Sequence, residues 1–253
     1  MMKFLKLIVP LMALLALHTT PASARKNDPE TLFQQANQAY MTGNFNQAVA
    51  EYLTIAGQYG VSASLLYNLA NSYAALGDTG RAVVNYKRAR RLAPGDADIQ
   101  ANLEQIRKDA GLYRDKTPLL DQITSLLGPD RWLMAAGVSF GLLALTALAA
   151  NLLPGLSTVL TRTVILTALL ISTLSLAVAV AGYRSWNDGV VVDSEARLLI
   201  SPFAQAASTG TIAAGRLVRP GKTHGKYVLV VDETGRTGWL EKNQLELIPE
   251  LPR

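Results

Sequence analysis

Few residues of this chain are suited to covalent or metal chemistry. The 253 residues include no cysteine and only two histidines, His18 and His224. Thiol nucleophiles, Cys/His zinc sites and iron–sulfur clusters are therefore excluded. His18 lies in an apolar leader, and no nucleophile or carboxylate motif accompanies His224, which we interpret as an exposed polar residue. We predict a non-enzymatic protein with no catalytic residue, metal ion or cofactor.

Residues suited to binding recur instead at a fixed spacing of 34, the period of tetratricopeptide repeats. The matching pairs are Ala36/Ala70, Asn37/Asn71, Gly43/Gly77, Ala48/Ala82 and Tyr52/Tyr86. The small residues would let two helices of a hairpin approach closely, and each glycine would end the first helix. The segment resembles a tetratricopeptide module of two repeats plus a capping helix over residues 29–111.

The tetratricopeptide resemblance implies a groove lined by the first helix of each repeat, with a peptide or protein as its ligand. The candidate groove residues are Phe33, Asn37, Tyr40, Tyr67, Asn68 and Asn71. In repeat domains that bind a C-terminal carboxylate, asparagines occupy positions resembling Asn37 and Asn68. The basic partners of such a clamp are missing here, so carboxylate capture is not expected. Alternatively, the asparagines only cap the groove and keep it solvated.

Two apolar segments, residues 132–153 and 163–183, contain no ionisable side chain and are long enough to cross a bilayer. The connection between them is short, so we predict an antiparallel transmembrane hairpin. Because neither span contains an ionisable residue, anchoring is favoured over transport. Before the hairpin, residues 117–128 form an amphipathic linker helix that could lie on the bilayer or against the repeats.

The N-terminal residues 1–24 have the pattern of a secretory signal peptide, ending in Ala22-Ser23-Ala24. An uncleaved anchor helix is the alternative. Either would deliver the next segment across the membrane and place both soluble parts in the periplasm. The charges that flank the apolar segments favour the reverse orientation, because Arg162 is the only basic residue near the short connection.

The formal net charge of +5 comes from the leader and the membrane flanks, since the two soluble parts are each charge-balanced. A nucleic-acid-binding function is therefore not expected, because neutralising phosphates requires a basic excess on a folded surface.

Residues 188–249 contain short β-rich runs separated by glycines. The segment Gly235-Arg-Thr-Gly-Trp-Leu, with Asn243-Gln-Leu after it, resembles the closing motif of bacterial SH3 domains. That resemblance implies a small all-β SH3-like barrel whose groove would be lined by Phe203, Tyr227 and Trp239. Its ligand would be a cell-wall peptide or a protein segment. In the alternative interpretation, Trp239 fills the core of the barrel.

Taken in order, these segments predict a multidomain membrane protein with an all-α tetratricopeptide module, a two-helix transmembrane hairpin and an SH3-like barrel. The same order is similar to that of the BatE family encoded in the Bat aerotolerance operons of Gram-negative bacteria. This resemblance implies an inner-membrane assembly with von Willebrand A-type Bat proteins and a role in stress tolerance. We predict a scaffold that recruits proteins; the alternative is an envelope sensor or peptidoglycan-binding module.

Overall fold

The computed structural model describes residues 28–112, 119–153, 155, 157–184, 186–250 and 252. The predicted signal peptide, residues 1–24, lies outside the described residues. Five helices come first in the described chain. They are α1 (Pro29–Met41), α2 (Phe45–Tyr59), α3 (Ala63–Ala75), α4 (Thr79–Leu92) and α5 (Ala97–Asp109).

Local sequence signals set the ends of these helices. Ser62, Asp78 and Asp96 precede α3, α4 and α5, and each side chain accepts a hydrogen bond from a backbone N–H of the first turn. Gly43 and Gly77 follow the ends of α1 and α3 with positive φ angles of 80° and 76°, a conformation that costs glycine little. The two matching glycines therefore turn the chain from the first helix of each hairpin into the second.

Small and aromatic side chains at the matching positions fill the hydrophobic core that the five helices α1 to α5 share. Ala36, Ala70, Ala48 and Ala82 are all completely buried. Because these positions carry only a methyl group, neighbouring helices approach closely there, and larger side chains such as Tyr52 pack around them.

A short amphipathic helix and two long apolar helices come next: α6 (Leu119–Leu127), α7 (Pro129–Leu152) and α8 (Thr158–Arg184). Both α7 and α8 are long and apolar enough to cross a membrane. Only 6% of the most apolar stretch of α7 and 17% of that of α8 are buried within the protein, so they are not core helices of a soluble fold. Their length, composition and exposure indicate association with a membrane.

The apolar helices pack against each other along small residues. Ala136 on α7 and Ala168, Ser175 and Ala179 on α8 are buried at this contact, and the Ser172 hydroxyl donates to the backbone oxygen of Ala136 at 3.1 Å. Helix α6 packs against the same pair, where the Trp132 indole N–H donates to the backbone oxygen of Ile123 at 3.2 Å. The structure places α6 against the apolar helices, a contact that was not among the possibilities predicted for residues 117–128.

The remaining chain forms one seven-stranded antiparallel sheet in the order β3-β2-β6-β5-β4-β1-β7. The strands are β1 (Gly189–Val191), β2 (Arg197–Leu199), β3 (Ser208–Thr211), β4 (Leu217–His224), β5 (Tyr227–Asp232), β6 (Thr237–Glu241) and β7 (Leu245–Leu247). One face of β5 and β6, including Val228, Val230 and Leu240, is buried in the core of the sheet. The opposite face carries Leu229 and Trp239, which lie directly across from each other.

The predicted fold class is wrong. The described chain has a helical part, two apolar helices and one seven-stranded sheet, without a clear tetratricopeptide module. The physical reason is that the hydrophobic core of the helical part includes residues from the sheet. Val190 of β1 and Ile248 after β7 are both buried in it. The sheet likewise has β3 and β7 as its edges in the strand order, so it is not the separate small barrel that was predicted.

Candidate functional site

Two matching clusters of polar and aromatic side chains lie along one side of the helical part. In the first, the Asn37 side-chain oxygen accepts hydrogen bonds from the Tyr52 hydroxyl at 2.6 Å and from the Asn68 amide at 2.9 Å. The Phe33 ring packs on Tyr52 with 5.9 Å between ring centroids. Residues from α1, α2 and α3 thus meet at one point.

The second cluster repeats this arrangement 34 residues later. The Asn71 side-chain oxygen accepts from the Tyr86 hydroxyl at 2.5 Å and from the Asn102 amide at 3.2 Å, and Tyr67 packs on Tyr86 at 6.0 Å. The Asn102 amide also donates to the Tyr67 hydroxyl at 2.9 Å. We call the two clusters together the amide row. Its residues are Phe33, Asn37, Tyr52, Asn68, Tyr67, Asn71, Tyr86 and Asn102.

The amide row is uncharged near neutral pH, and burial moves Tyr52 and Tyr86 further from ionisation. Burial raises the pKa of Tyr52 to about 12. Burial also raises the pKa of Tyr86 above its usual range. Both hydroxyls therefore remain protonated donors near neutral pH.

Part of the hydrogen-bonding capacity of the amide row is not used among the described residues. All four asparagines are only half-buried, and the side-chain oxygens of Asn37 and Asn71 already accept two bonds each. Within the described part of the chain, no protein acceptor takes the amide hydrogens of Asn37 and Asn71. A neutral surface with free N–H donors and half-buried aromatic rings suits an extended peptide, whose backbone oxygens are acceptors.

The structure brings five of the six predicted groove residues into the amide row. The sixth, Tyr40, is half-buried and packs against Phe45 at the start of α2, with 5.4 Å between ring centroids. The prediction missed the part played by the tyrosine hydroxyls of α2 and α4. The signal was available, since Tyr52 and Tyr86 share the spacing of 34 with Asn37 and Asn71.

The three residues predicted to line a groove on the β part do not form one continuous surface. Phe203 is 61% exposed and its ring contacts that of His224 at 6.0 Å. Tyr227 is only 5% exposed, so its ring is buried. Trp239 is half-buried on the outer face of the sheet, opposite Leu199 of β2.

A charged junction between the helical part and the sheet was not predicted. Arg88 on α4 is only 4% exposed, and its guanidinium donates to Glu246 at 3.1 Å and to the backbone oxygen of Leu247 at 2.9 Å. A second ion pair joins Arg107 on α5 to Glu233 at 2.7 Å. In both ion pairs the helical part supplies the arginine and the β part supplies the glutamate. These contacts fix the position of the amide row relative to the sheet.

No cluster of three or more histidine, aspartate or glutamate side chains that could hold a metal ion occurs among the described residues. No protein-family model matches this chain, and no curated protein matches it. The functional assignment therefore depends on the amide row, the apolar helices and the junction between them.

Proposed function

We propose that this protein is a non-enzymatic adaptor that is anchored in a membrane and binds a peptide or protein along the amide row. The observation that carries the proposal is the repetition of one neutral, half-exposed cluster at a spacing of 34. Because the two clusters have the same geometry, an extended chain can contact both in the same way.

The proposal places the protein in the bacterial inner membrane with its helical and β parts in the periplasm. The secretory pattern of residues 1–24 supports this orientation. Contacts between Arg88 and the β7 region support one shared side for both parts. The resemblance to the BatE family supports von Willebrand A-type Bat proteins as partners and a role in aerotolerance.

The decisive variants should change the charge of the amide row while keeping its internal bonds. Asn37→Asp and Asn71→Asp retain the oxygen that accepts from the tyrosine and from the neighbouring asparagine. Each replaces a free amide N–H with a carboxylate oxygen, which repels the backbone oxygens of a bound peptide. Asn46→Asp is the matched control, because Asn46 is exposed on α2 and lies outside the amide row.

The measurement is chemical crosslinking in intact membranes, followed by purification of the full chain and identification of the captured proteins. We expect Asn37→Asp combined with Asn71→Asp to lose proteins that the unchanged chain and Asn46→Asp both capture. An identical set of captured proteins from all three would refute binding along the amide row.

A second candidate function is binding of cell-wall peptide by the β part, because the exposed Phe203 ring and the half-buried Trp239 ring could both stack on a ligand. It predicts that the detergent-purified full chain sediments with purified sacculi and that Phe203→Ala reduces the sedimented fraction. Ile200→Ala, which removes an equally exposed side chain, is the control. Absence of sedimentation would eliminate this candidate.

A further inference from the structure

A polar cavity of about 390 Å³ lies between α1 and α2. Its lining includes four amide side chains, one alanine and one carboxylate: Gln35, Gln38, Ala39, Asn44, Gln47 and Glu51. Because an α-helix turns by about 100° per residue, Gln35 and Ala39 lie on the side of α1 away from Asn37. The cavity is therefore a separate place on the helical part from the amide row.

Glu51 is the only charged residue among those that line the cavity. Its Oε1 accepts a hydrogen bond from the Gln47 amide at 2.8 Å, whereas its Oε2 is buried and has no donor among the described residues. A carboxylate oxygen that is removed from water without a donor costs free energy. A ligand that donates a hydrogen bond to this oxygen would remove that cost.

Two neutral oxygens of the cavity also lack a donor. The Asn44 amide donates to the Thr42 hydroxyl at 3.1 Å, and the Gln47 amide donates to Glu51. Within the part of the chain that the structure describes, the side-chain oxygens of Asn44 and Gln47 accept no hydrogen bond. Together with Glu51 Oε2, they give the cavity three acceptors for a ligand, one of which belongs to a carboxylate.

The surrounding chain supplies no positive charge for Glu51. The sequence has no lysine or arginine between Lys26 and Arg81, although it has four acidic residues in that stretch. Glu51 forms no ion pair among the described residues, and its one hydrogen bond comes from a neutral amide. A cation from outside the protein would therefore complement the cavity in charge.

We propose that the cavity between α1 and α2 binds a primary alkylammonium group. An ammonium carries one positive charge and three N–H donors, which correspond to the single carboxylate and the three acceptors without a donor. The lysine side chain of a polypeptide and a free alkylamine both present this group. The site goes beyond the proposed adaptor function and does not depend on it.

The test uses the full chain purified in detergent at neutral pH, with dissociation constants measured by isothermal titration calorimetry. The probes are Nα-acetyl-lysine methylamide, its Nε-acetylated form, which has no charge, and n-butylamine. The test variant is Glu51→Gln, which keeps an oxygen for the Gln47 amide. Glu104→Gln is the matched control, because Glu104 accepts from Gln100 at the same spacing of four and at the same 2.8 Å, but is exposed on α5.

We expect the charged lysine derivative to bind and its acetylated form to bind more weakly by about tenfold or more. Glu51→Gln should raise the dissociation constant by about tenfold or more, and Glu104→Gln should leave it unchanged. If Glu51→Gln does not fold by circular dichroism, Asn44→Ala takes its place and should weaken binding by about threefold or more.

Equal binding of the charged and acetylated probes would overturn the proposal, as would equal binding by the unchanged chain and the variant that lacks the acceptor. The comparison with n-butylamine distinguishes the two sources of the ammonium. Tighter binding of the lysine derivative would support a polypeptide as the natural ligand, and tighter binding of n-butylamine would support a free amine.

Discussion

At the scale of single residues, Asn37 and Asn71 have the same role in two places. Each side-chain oxygen joins a tyrosine of the following helix to an asparagine two helices further along the chain. Such a bridge satisfies polar groups that helix packing has removed from water. The amide row therefore contributes to stability as well as to the proposed binding surface, and variants must be chosen to separate the two.

Removal of the Tyr52 hydroxyl should weaken the fold modestly. Tyr52→Phe keeps the ring contact with Phe33 but leaves the Asn37 oxygen with one donor fewer. We expect the free energy of unfolding to fall by about 1 kcal/mol in chemical denaturation. Tyr40→Phe is the control, since the Tyr40 hydroxyl has no hydrogen bond among the described residues. An equal loss in both variants would contradict the role given to the Tyr52 hydroxyl.

Arg88 is the residue on which the junction depends most. Besides Glu246 and Leu247, its guanidinium reaches the Asn85 side-chain oxygen at 3.1 Å. Arg88→Met would remove these bonds and leave Glu246 nearly buried, with its remaining pair to Arg81 at 3.6 Å. We expect a loss of about 3 kcal/mol or more in the free energy of unfolding.

The control for this change is Arg219→Met. Arg219 is mostly exposed in its ion pair with Asp188, so its replacement should cost about 1 kcal/mol or less. Denaturation curves of the two variants in the same detergent give the comparison. If Arg88→Met is no more destabilising than Arg219→Met, the buried ion pair does not hold the two parts together.

At the scale of elements, α4 is shared between the two soluble parts. Ala82 and Tyr86 belong to the helical core, whereas Arg88 faces the β7 region and Gly80 faces β1. A helix with partners on both sides cannot move without disturbing both. The close approach at Gly80 is possible because glycine has no Cβ: one built there would lie 2.5 Å from Val192 Cα and 2.8 Å from the Val191 oxygen.

Gly80→Ala should therefore destabilise the protein, although alanine is the better helix former. The added methyl group would push α4 away from β1 and weaken the junction. Gly57→Ala on α2 is the matched control, because a Cβ there meets no atom within 4 Å. We expect Gly57→Ala to raise the thermal unfolding temperature and Gly80→Ala to lower it. A rise for both variants would refute the close packing of α4 on β1.

The sequence allowed only part of this arrangement to be predicted. The apolar helices follow from their composition, and the matching positions of Asn37 and Asn71 follow from the spacing of 34. The junction could not be predicted, because it joins Arg88 to Ile248 across 160 positions of chain and local patterns do not report such contacts. The fold class was wrong for the same reason, since β1 and the end of β7 complete a helical core that appeared self-contained.

At the scale of the whole molecule, the helical part and the sheet form one body at one end of the apolar helix pair. The Arg88–Glu246 and Arg107–Glu233 pairs join the two parts, and the Arg91–Trp186 contact joins them to the end of α8. If α7 and α8 span a membrane, both soluble parts must lie on one side and the connection at Gly155 on the other. In the proposed adaptor, this shared side would place the amide row and the β part in the same compartment.

The most direct test of this account is labelling of single cysteines with a membrane-impermeant maleimide. The natural chain has no cysteine, so Gln58→Cys, Thr223→Cys and Gly155→Cys each provide one unique site, on α2, on β4 and between α7 and α8. In intact spheroplasts we expect labelling at positions 58 and 223, and labelling at position 155 only after lysis. Labelling of positions 58 and 223 from opposite sides of the membrane would contradict the account.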